Sequence, residues 1–229
     1  MQGIMYSQAM TLANLEGRKS RTSRCRGLDK INQNPDEWEC TAINQYPKNL
    51  PGAYFHNKNT DEVMFVKCPY GGIGSELYGK ETYWQYGYWQ VTSIKTKTGY
   101  RVAFKPDWSK PIYYADTLPK DLIIEKGRAA VGYYKRSAIM MPERASRYHI
   151  ALNGIGCQRI QSITPEDCIK EGIPKTYKDI IGEHSKADWH LIEDFQSLWD
   201  SINLKTHPWS RNDWLCYLYY TVKKKEAQG

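Results

Sequence analysis

Apolar residues recur with the two-residue period of strands along much of the chain, and a helical period appears in only a few places. Ser7 can cap a short helix over residues 8–16, and Gly17 stands where a helix stop wants a left-handed residue. The following run, Arg18-Lys19-Ser20-Arg21-Thr22-Ser23-Arg24, interleaves cations with hydroxyls and predicts an extended segment leaving that helix. Thr164, Pro165 and Asp167 form a capped helix start, which Gly172 closes about two turns later. Residues 186–203 place Leu191, Phe195, Leu198 and Ile202 on one stripe beside Ile192 and Trp199, the pattern of a helix packed on a core. Strands are predicted over 63–66, 76–78, 82–92, 100–104, 148–152 and 158–160, with weaker signals at 112–114 and 129–134. The continuous apolar run over 214–222 reads as a buried strand. Residues 29–60, with Pro35, Pro47, Pro51 and many Asn, read as an irregular excursion. Many short strands with a few peripheral helices predict an α+β fold or a small barrel.

Composition narrows the class. The 229 residues and 41% hydrophobic content are enough to bury a core, and one domain is expected. A mean hydropathy of −0.69 and the lack of any long apolar run predict no membrane span. The start, Met1-Gln2-Gly3-Ile4, lacks the basic and apolar regions of a signal peptide, so a cytoplasmic protein with reduced thiols is expected. Neither the six cysteines nor the five histidines show metal-ligand spacing, so no metal and no cofactor are expected.

Charge and aromatics add a partner. Lys and Arg total 32 against 25 Asp and Glu, a net charge of +7, and 18 Tyr and 8 Trp outnumber 4 Phe. The basic residues cluster in 17–30 and 126–147, with Asp29 and Glu143 the only acid in each stretch. Two basic stretches among abundant polar aromatics suit a phosphate-bearing partner.

Several motifs, in order, resemble one family. Leu15-Glu16-Gly17-Arg18-Lys19-Ser20-Arg21-Thr22-Ser23-Arg24 resembles the Gly-Arg-Lys-Thr-x-Thr-x-Arg segment of ASCH-domain proteins, a branch of the PUA-like superfamily. Gly74 to Thr82, Met141-Pro142-Glu143-Arg144-Ala145-Ser146-Arg147 and Ile163 to Gly172 are similar to three further motifs of the larger, phage-type members. Leu198 to Asn203 and Asn212-Asp213-Trp214 are similar to their last helix and last strand. The sequence departs from these motifs at Ser75, Gly79, Lys80, Arg144 and Cys216. The resemblance is weak over 29–62 and 86–128, which it treats as insertions into a single domain spanning 1–229. It implies a mixed β-barrel of PUA type with short helices at its ends, and in a phage-encoded protein the cytoplasm would be that of a bacterial host.

The small bacterial ASCH enzymes are amidohydrolases of N4-acetylcytidine that use a Lys, a Thr and a Glu. The resemblance carries these roles to Lys19, Thr22 and Glu171. Such residues suit amide hydrolysis, because a hydroxyl needs a base and a Lys depressed by burial and by neighbouring cations can be one. Lys19 and Thr22 are three apart, so on a regular strand they face opposite ways, and convergence needs a turn or a bulge. Arg18, Arg21, Arg24, Arg144 and Arg147 are candidate phosphate ligands, Tyr78 and Trp84 candidate stacking rings, and Glu81 and Ser146 candidate polar supports. Each has a plainer role in packing or ion pairing. Glu171, near a helix C-terminus, requires a cation partner in either case. Three functions therefore remain open: an amidohydrolase on a modified pyrimidine nucleoside, a non-catalytic binder of nucleic acid (RNA rather than DNA) or of a modified base, and a metal-dependent ribonuclease using Glu76, Glu81 and Glu171.

Overall fold

A computed structural model describes residues 1–46, 50–174 and 184–225, apart from the side chains of 184–188. The fold is α+β and mostly strands. These are β1 (Gln2–Met5), β2 (Arg21–Arg24), β3 (Trp38–Asn44), β4 (Gly52–Asn57), β5 (Val63–Lys67) and β6 (Glu76–Lys80). They continue with β7 (Tyr83–Thr96), β8 (Gly99–Pro106), β9 (Tyr113–Tyr114), β10 (Gly132–Arg136), β11 (Tyr148–Arg159) and β12 (Trp214–Lys224). The helices are α1 (Gln8–Leu15), α2 (Pro165–Lys170) and α3 (His184–Asn203). The ladders form three sheets, ordered β1-β6-β11-β12-β2, β10-β7-β8 with β9 also on β7, and β3-β4-β5. Each is an open path, and no closed barrel is present among the described residues. No described helix is long and apolar enough to cross a membrane.

The chain divides into two compact units. Unit 1 is Met1–Gln2, Leu12–Leu77 and Tyr148–Gly229, and unit 2 is Gly3–Thr11 and Tyr78–Arg147.

In unit 1, β11 and β12 form a long antiparallel pair with a register shift between Leu152 and Gly154, and β2 adds to β12. The two strands predicted at 148–152 and 158–160 are thus one bulged strand. Helices α2 and α3 bring Ile163, Cys168, Leu191, Phe195 and Trp199 together with Ile160 and Leu215 in one core. Ile202, placed on the same stripe by the sequence, is instead 62% exposed, because the helix meets its core through Leu191, Phe195 and Trp199. The excursion expected over 29–60 is ordered as β3 and β4, which with β5 make a meander. It closes over its own core of Leu28, Ile31, Trp38, Ala53, Phe55 and Val66. Those strands carry few β-branched residues, and their inward positions hold single large rings, so their alternation was faint.

In unit 2, β7 pairs with β10 on one side and with β8 and β9 on the other. Tyr83, Met141 and Ala145 form its core, with Ile112 and Tyr114 packed against them.

Candidate functional site

Two helix ends build the unit 1 site. Helix α1 stops where Gly17 turns left-handed (φ 75°), and the Arg18 and Lys19 amides donate to the Ala13 carbonyl at 2.9 and 3.1 Å. Helix α2 starts with the Thr164 hydroxyl accepting from the Asp167 amide at 3.2 Å and stops at Gly172 (φ 97°). A Cβ at Gly172 would lie 3.1 Å from Ala13 Cβ and 3.3 Å from Lys19 Cβ, so the small residue lets the two ends approach.

Last-turn carbonyls of a helix lack partners within it, and here the basic loop supplies them. The Ser20 amide donates to the Lys170 carbonyl at 2.9 Å, Arg18 Nη1 to the Gly172 carbonyl at 3.1 Å, and Lys19 Nζ to the Glu171 carbonyl at 2.5 Å. Lys19 Nζ also donates to Glu171 Oε2 at 2.8 Å. Lys19 and Glu171 are 3% and 4% exposed. Burial pushes the Lys19 ammonium well below the usual lysine range; Glu171 opposes the shift, and Arg24 and Arg21 add to it.

Strand β2 sorts the next residues by face. Arg21 is fully buried and ion-paired with Asp167 Oδ2, and its Nε lies 3.7 Å from Glu171 Oε1. Its guanidinium covers the Tyr217 ring at 4.2 Å, and Tyr219 donates to Asp167 Oδ1 at 2.9 Å. Burial alone would raise the Asp167 carboxyl. The hydrogen bond and charge of Arg21 and the Tyr219 hydroxyl outweigh it and hold the group below the usual range.

Ser23 shares the Arg21 face, and its Oγ donates to Glu171 Oε1 at 2.5 Å. Thr22 is buried, pairs with Leu218 across the ladder, and by alternation points to the other face. On that face Tyr220 donates to Asn14 Oδ1 at 2.8 Å, and Asn14 in turn donates to the Tyr148 hydroxyl at 3.2 Å. The expected trio is therefore split. Lys19 and Glu171 meet, Thr22 diverges because the strand is regular, and Ser23 takes the hydroxyl position. Ser23 and Asp167 were missed as site residues, although alternation from Lys19 through Arg21 reaches Ser23. The expected role of Arg21 as a phosphate ligand also changes, since its guanidinium is spent internally. Arg18 is exposed and bonded to Glu16 at 2.7 Å, and Arg24 is half-buried.

The remaining candidates lie in unit 2. Arg147 is gripped by Glu81 through two bonds of 2.9 and 2.8 Å, donates to Asp116 at 2.8 Å, and covers the Tyr114 ring at 4.2 Å. This makes it a tie within the unit, with Glu81 as its buried partner. Arg144 is exposed and stacks over Trp108 at 3.2 Å. Tyr78 is 8% exposed and donates to the Met141 carbonyl at 3.1 Å, and Trp84 is 8% exposed, so neither offers an open ring face. Ser146 is buried. The three glutamates of the nuclease reading each have a cation: Glu76 with Lys223, Glu81 with Arg147 and Glu171 with Lys19. Among the described residues no group of three His, Cys, Asp or Glu is arranged to hold a metal.

Two open clefts of unit 1 lie elsewhere. One, of about 480 Å³, is lined by Cys40, Cys157, Arg159 and Trp214, and the other, of about 460 Å³, by Asp29, Asn32, His207 and Arg211. Comparison with family models, with curated proteins and with solved structures finds no match.

Proposed function

We propose that the chain is an ASCH-type protein of PUA-like barrel descent, and that its unit 1 site hydrolyses an acyl-amide on a modified pyrimidine nucleoside such as N4-acetylcytidine. One observation carries the reading: the Glu171 carboxylate holds a half-buried hydroxyl, Ser23, at 2.5 Å and a buried ammonium of depressed pKa, Lys19, at 2.8 Å. In this reading Ser23 Oγ adds to the acyl carbon while its proton passes to Glu171. The same proton then goes to the exocyclic nitrogen as the C–N bond breaks and the free amine leaves. Water, deprotonated by Glu171, cleaves the acyl ester and restores Ser23. Lys19 acts as a positioning residue that holds the second carboxylate oxygen.

Turnover of N4-acetylcytidine by the full chain tests this. Ser23→Ala and Lys19→Ala should each lower kcat/KM by about 100-fold or more, with Thr22→Ala near wild type. No turnover of any acylated pyrimidine nucleoside, or a loss confined to Thr22→Ala, would overturn it. A second reading, binding of a modified base without chemistry, draws support from the near-complete burial of Lys19 and Glu171. It predicts nucleoside affinity with no turnover.

A further inference from the structure

The net charge of the chain belongs to unit 2. That unit holds 13 of the 32 basic and 6 of the 25 acidic residues and so carries +7, whereas unit 1 balances 19 against 19. The basic run after α1 is thus offset within its own unit. Within unit 2, Lys80, Lys110 and Lys135 each lie near an aromatic ring.

Strand β7 has two different faces. Its odd positions Tyr83, Gln85 and Gly87 are buried, and Tyr134 across from Gln85 is buried with them. Its even positions pass from buried Trp84 through half-buried Tyr86 to exposed Tyr88. The ladder sets Lys135 and Tyr113 on either side of Trp84, Tyr133 beside Tyr86, and Lys105 beside Tyr88. Three of the rings adjoin: Tyr133 lies 5.1 Å from Tyr86 and 5.3 Å from Tyr113, centre to centre. Tyr88 is 45% exposed, Tyr86, Tyr113 and Tyr133 are half-buried, and Lys105, Lys110 and Lys135 are exposed. Lys135 Nζ sits 5.8 Å from the Trp84 ring centre and Lys110 Nζ 5.9 Å from that of Tyr86. Asp107, just beyond β8, has its Oδ1 taken by the Ser109 amide and hydroxyl at 2.9 and 2.7 Å.

From this juxtaposition we propose that the outward face of β7, β8, β9 and β10 binds single-stranded nucleic acid. Tyrosine faces take up unpaired bases, and the lysines at the rim meet the phosphates. Stacking of a base on an aromatic side chain is worth about 1–3 kcal/mol and tolerates any sequence, and a twisted sheet presents successive rings to successive bases. A duplex hides its base faces and would gain only the lysine contacts. The surface is separate from the hydrolytic reading of unit 1 and does not depend on it.

Fluorescence anisotropy of labelled oligouridine, oligo-deoxythymidine and a short duplex, titrated with the full chain, tests the proposal. Single strands should bind more tightly than the duplex, with affinity falling steeply between about 50 and 200 mM salt. Preference between the uridine and deoxythymidine strands assigns RNA or DNA. Tyr88→Ala and Lys105→Glu, both at exposed positions, should each weaken single-strand binding by roughly tenfold. Lys19→Ala should leave it intact, and Tyr88→Ala should leave nucleoside turnover intact, so the two readings fail separately. Absence of single-strand binding, equal or tighter duplex binding, or indifference to both substitutions would overturn it. So would equal competition by polyglutamate, or a dimer in sedimentation that Tyr88→Ala dissolves.

Discussion

Arg21 offers a direct test of how the unit 1 site is held. The perturbation is Arg21→Met, which keeps an aliphatic stem of similar length and removes the guanidinium. In the folded chain this strips Asp167 of its buried ion pair and Tyr217 of the cation over its ring. Among the described residues, Asp167 then retains the Tyr219 hydroxyl and a Lys170 ammonium 3.9 Å away. Removing one partner of a buried pair costs about 3–5 kcal/mol, against about 0–1 kcal/mol for an exposed pair. Arg21 is fully buried and the Asp167 side chain is 12% exposed, so the larger figure applies. For a chain of this size that is a melting temperature lower by roughly 6–20 °C. Asp167→Asn and the double variant complete a cycle, and the double should cost clearly less than the sum of the singles. The pH dependence follows with its own sign. Because the Asp167 carboxyl is held low, the folded state binds fewer protons than the unfolded chain below the ordinary Asp value of about 3.9. The stabilisation is complete above that value and is lost as pH falls through the folded one. Arg21→Met should flatten this acid limb. Wild-type melting and an unchanged acid limb, together with weakened nucleic-acid binding, would show Arg21 to be an exposed phosphate contact and refute the reasoning.

Two further outcomes are expected. Glu81→Ala leaves Arg147 with Asp116 as its one carboxylate among the described residues and should lower urea stability by about 2 kcal/mol, the scale of a hydrogen-bonded charge; unfolding like wild type would place Arg147 outside the packed unit. In thiol titration with an aromatic disulfide reagent, Cys40 should react first, since a hydrogen bond from Cys157 lowers its pKa despite partial burial, and Cys40→Ser should remove that phase. Cys25 and Cys168, each pushed up to about 12 chiefly by burial, should wait for unfolding, and a fast reaction at either would contradict the described packing.

What was legible in the sequence depended on distance along the chain. The Thr164 cap, the Gly17 and Gly172 stops and the helix over 186–203 were readable, because each signal lies within a few residues of the structure it dictates. The meander of β3 and β4 was not, because its cohesion comes from Leu28, Ile31 and Val66 closing over Trp38 and Phe55, contacts that no local period announces. Lys19 and Glu171 were paired only through family resemblance, since 152 positions separate them. The hydroxyl beside Glu171 differs from the expected one for a different reason. The resemblance favoured Thr22, whereas two-residue alternation, a purely local rule, already favoured Ser23.

The charge shows most clearly what topology adds. Read linearly, the two basic stretches looked alike, each with one acid nearby. Folding treats them differently. Asp167 and Glu171, distant in sequence, return to neutralise Lys19 and Arg21, whereas unit 2 offers Arg147 two carboxylates and sets exposed Lys110 and Lys135 near the Tyr86 and Trp84 rings. A buried cation must find an anion or give up its charge, so unit 1 has to balance its basic loop internally. An exposed lysine over tyrosine carries no such requirement, and its unmatched charge remains for a partner in solution. Net charge therefore points to a binding surface only after the cations that folding consumes are set aside, and in this chain that favours the proposed surface on β7 to β10 over the loop after α1.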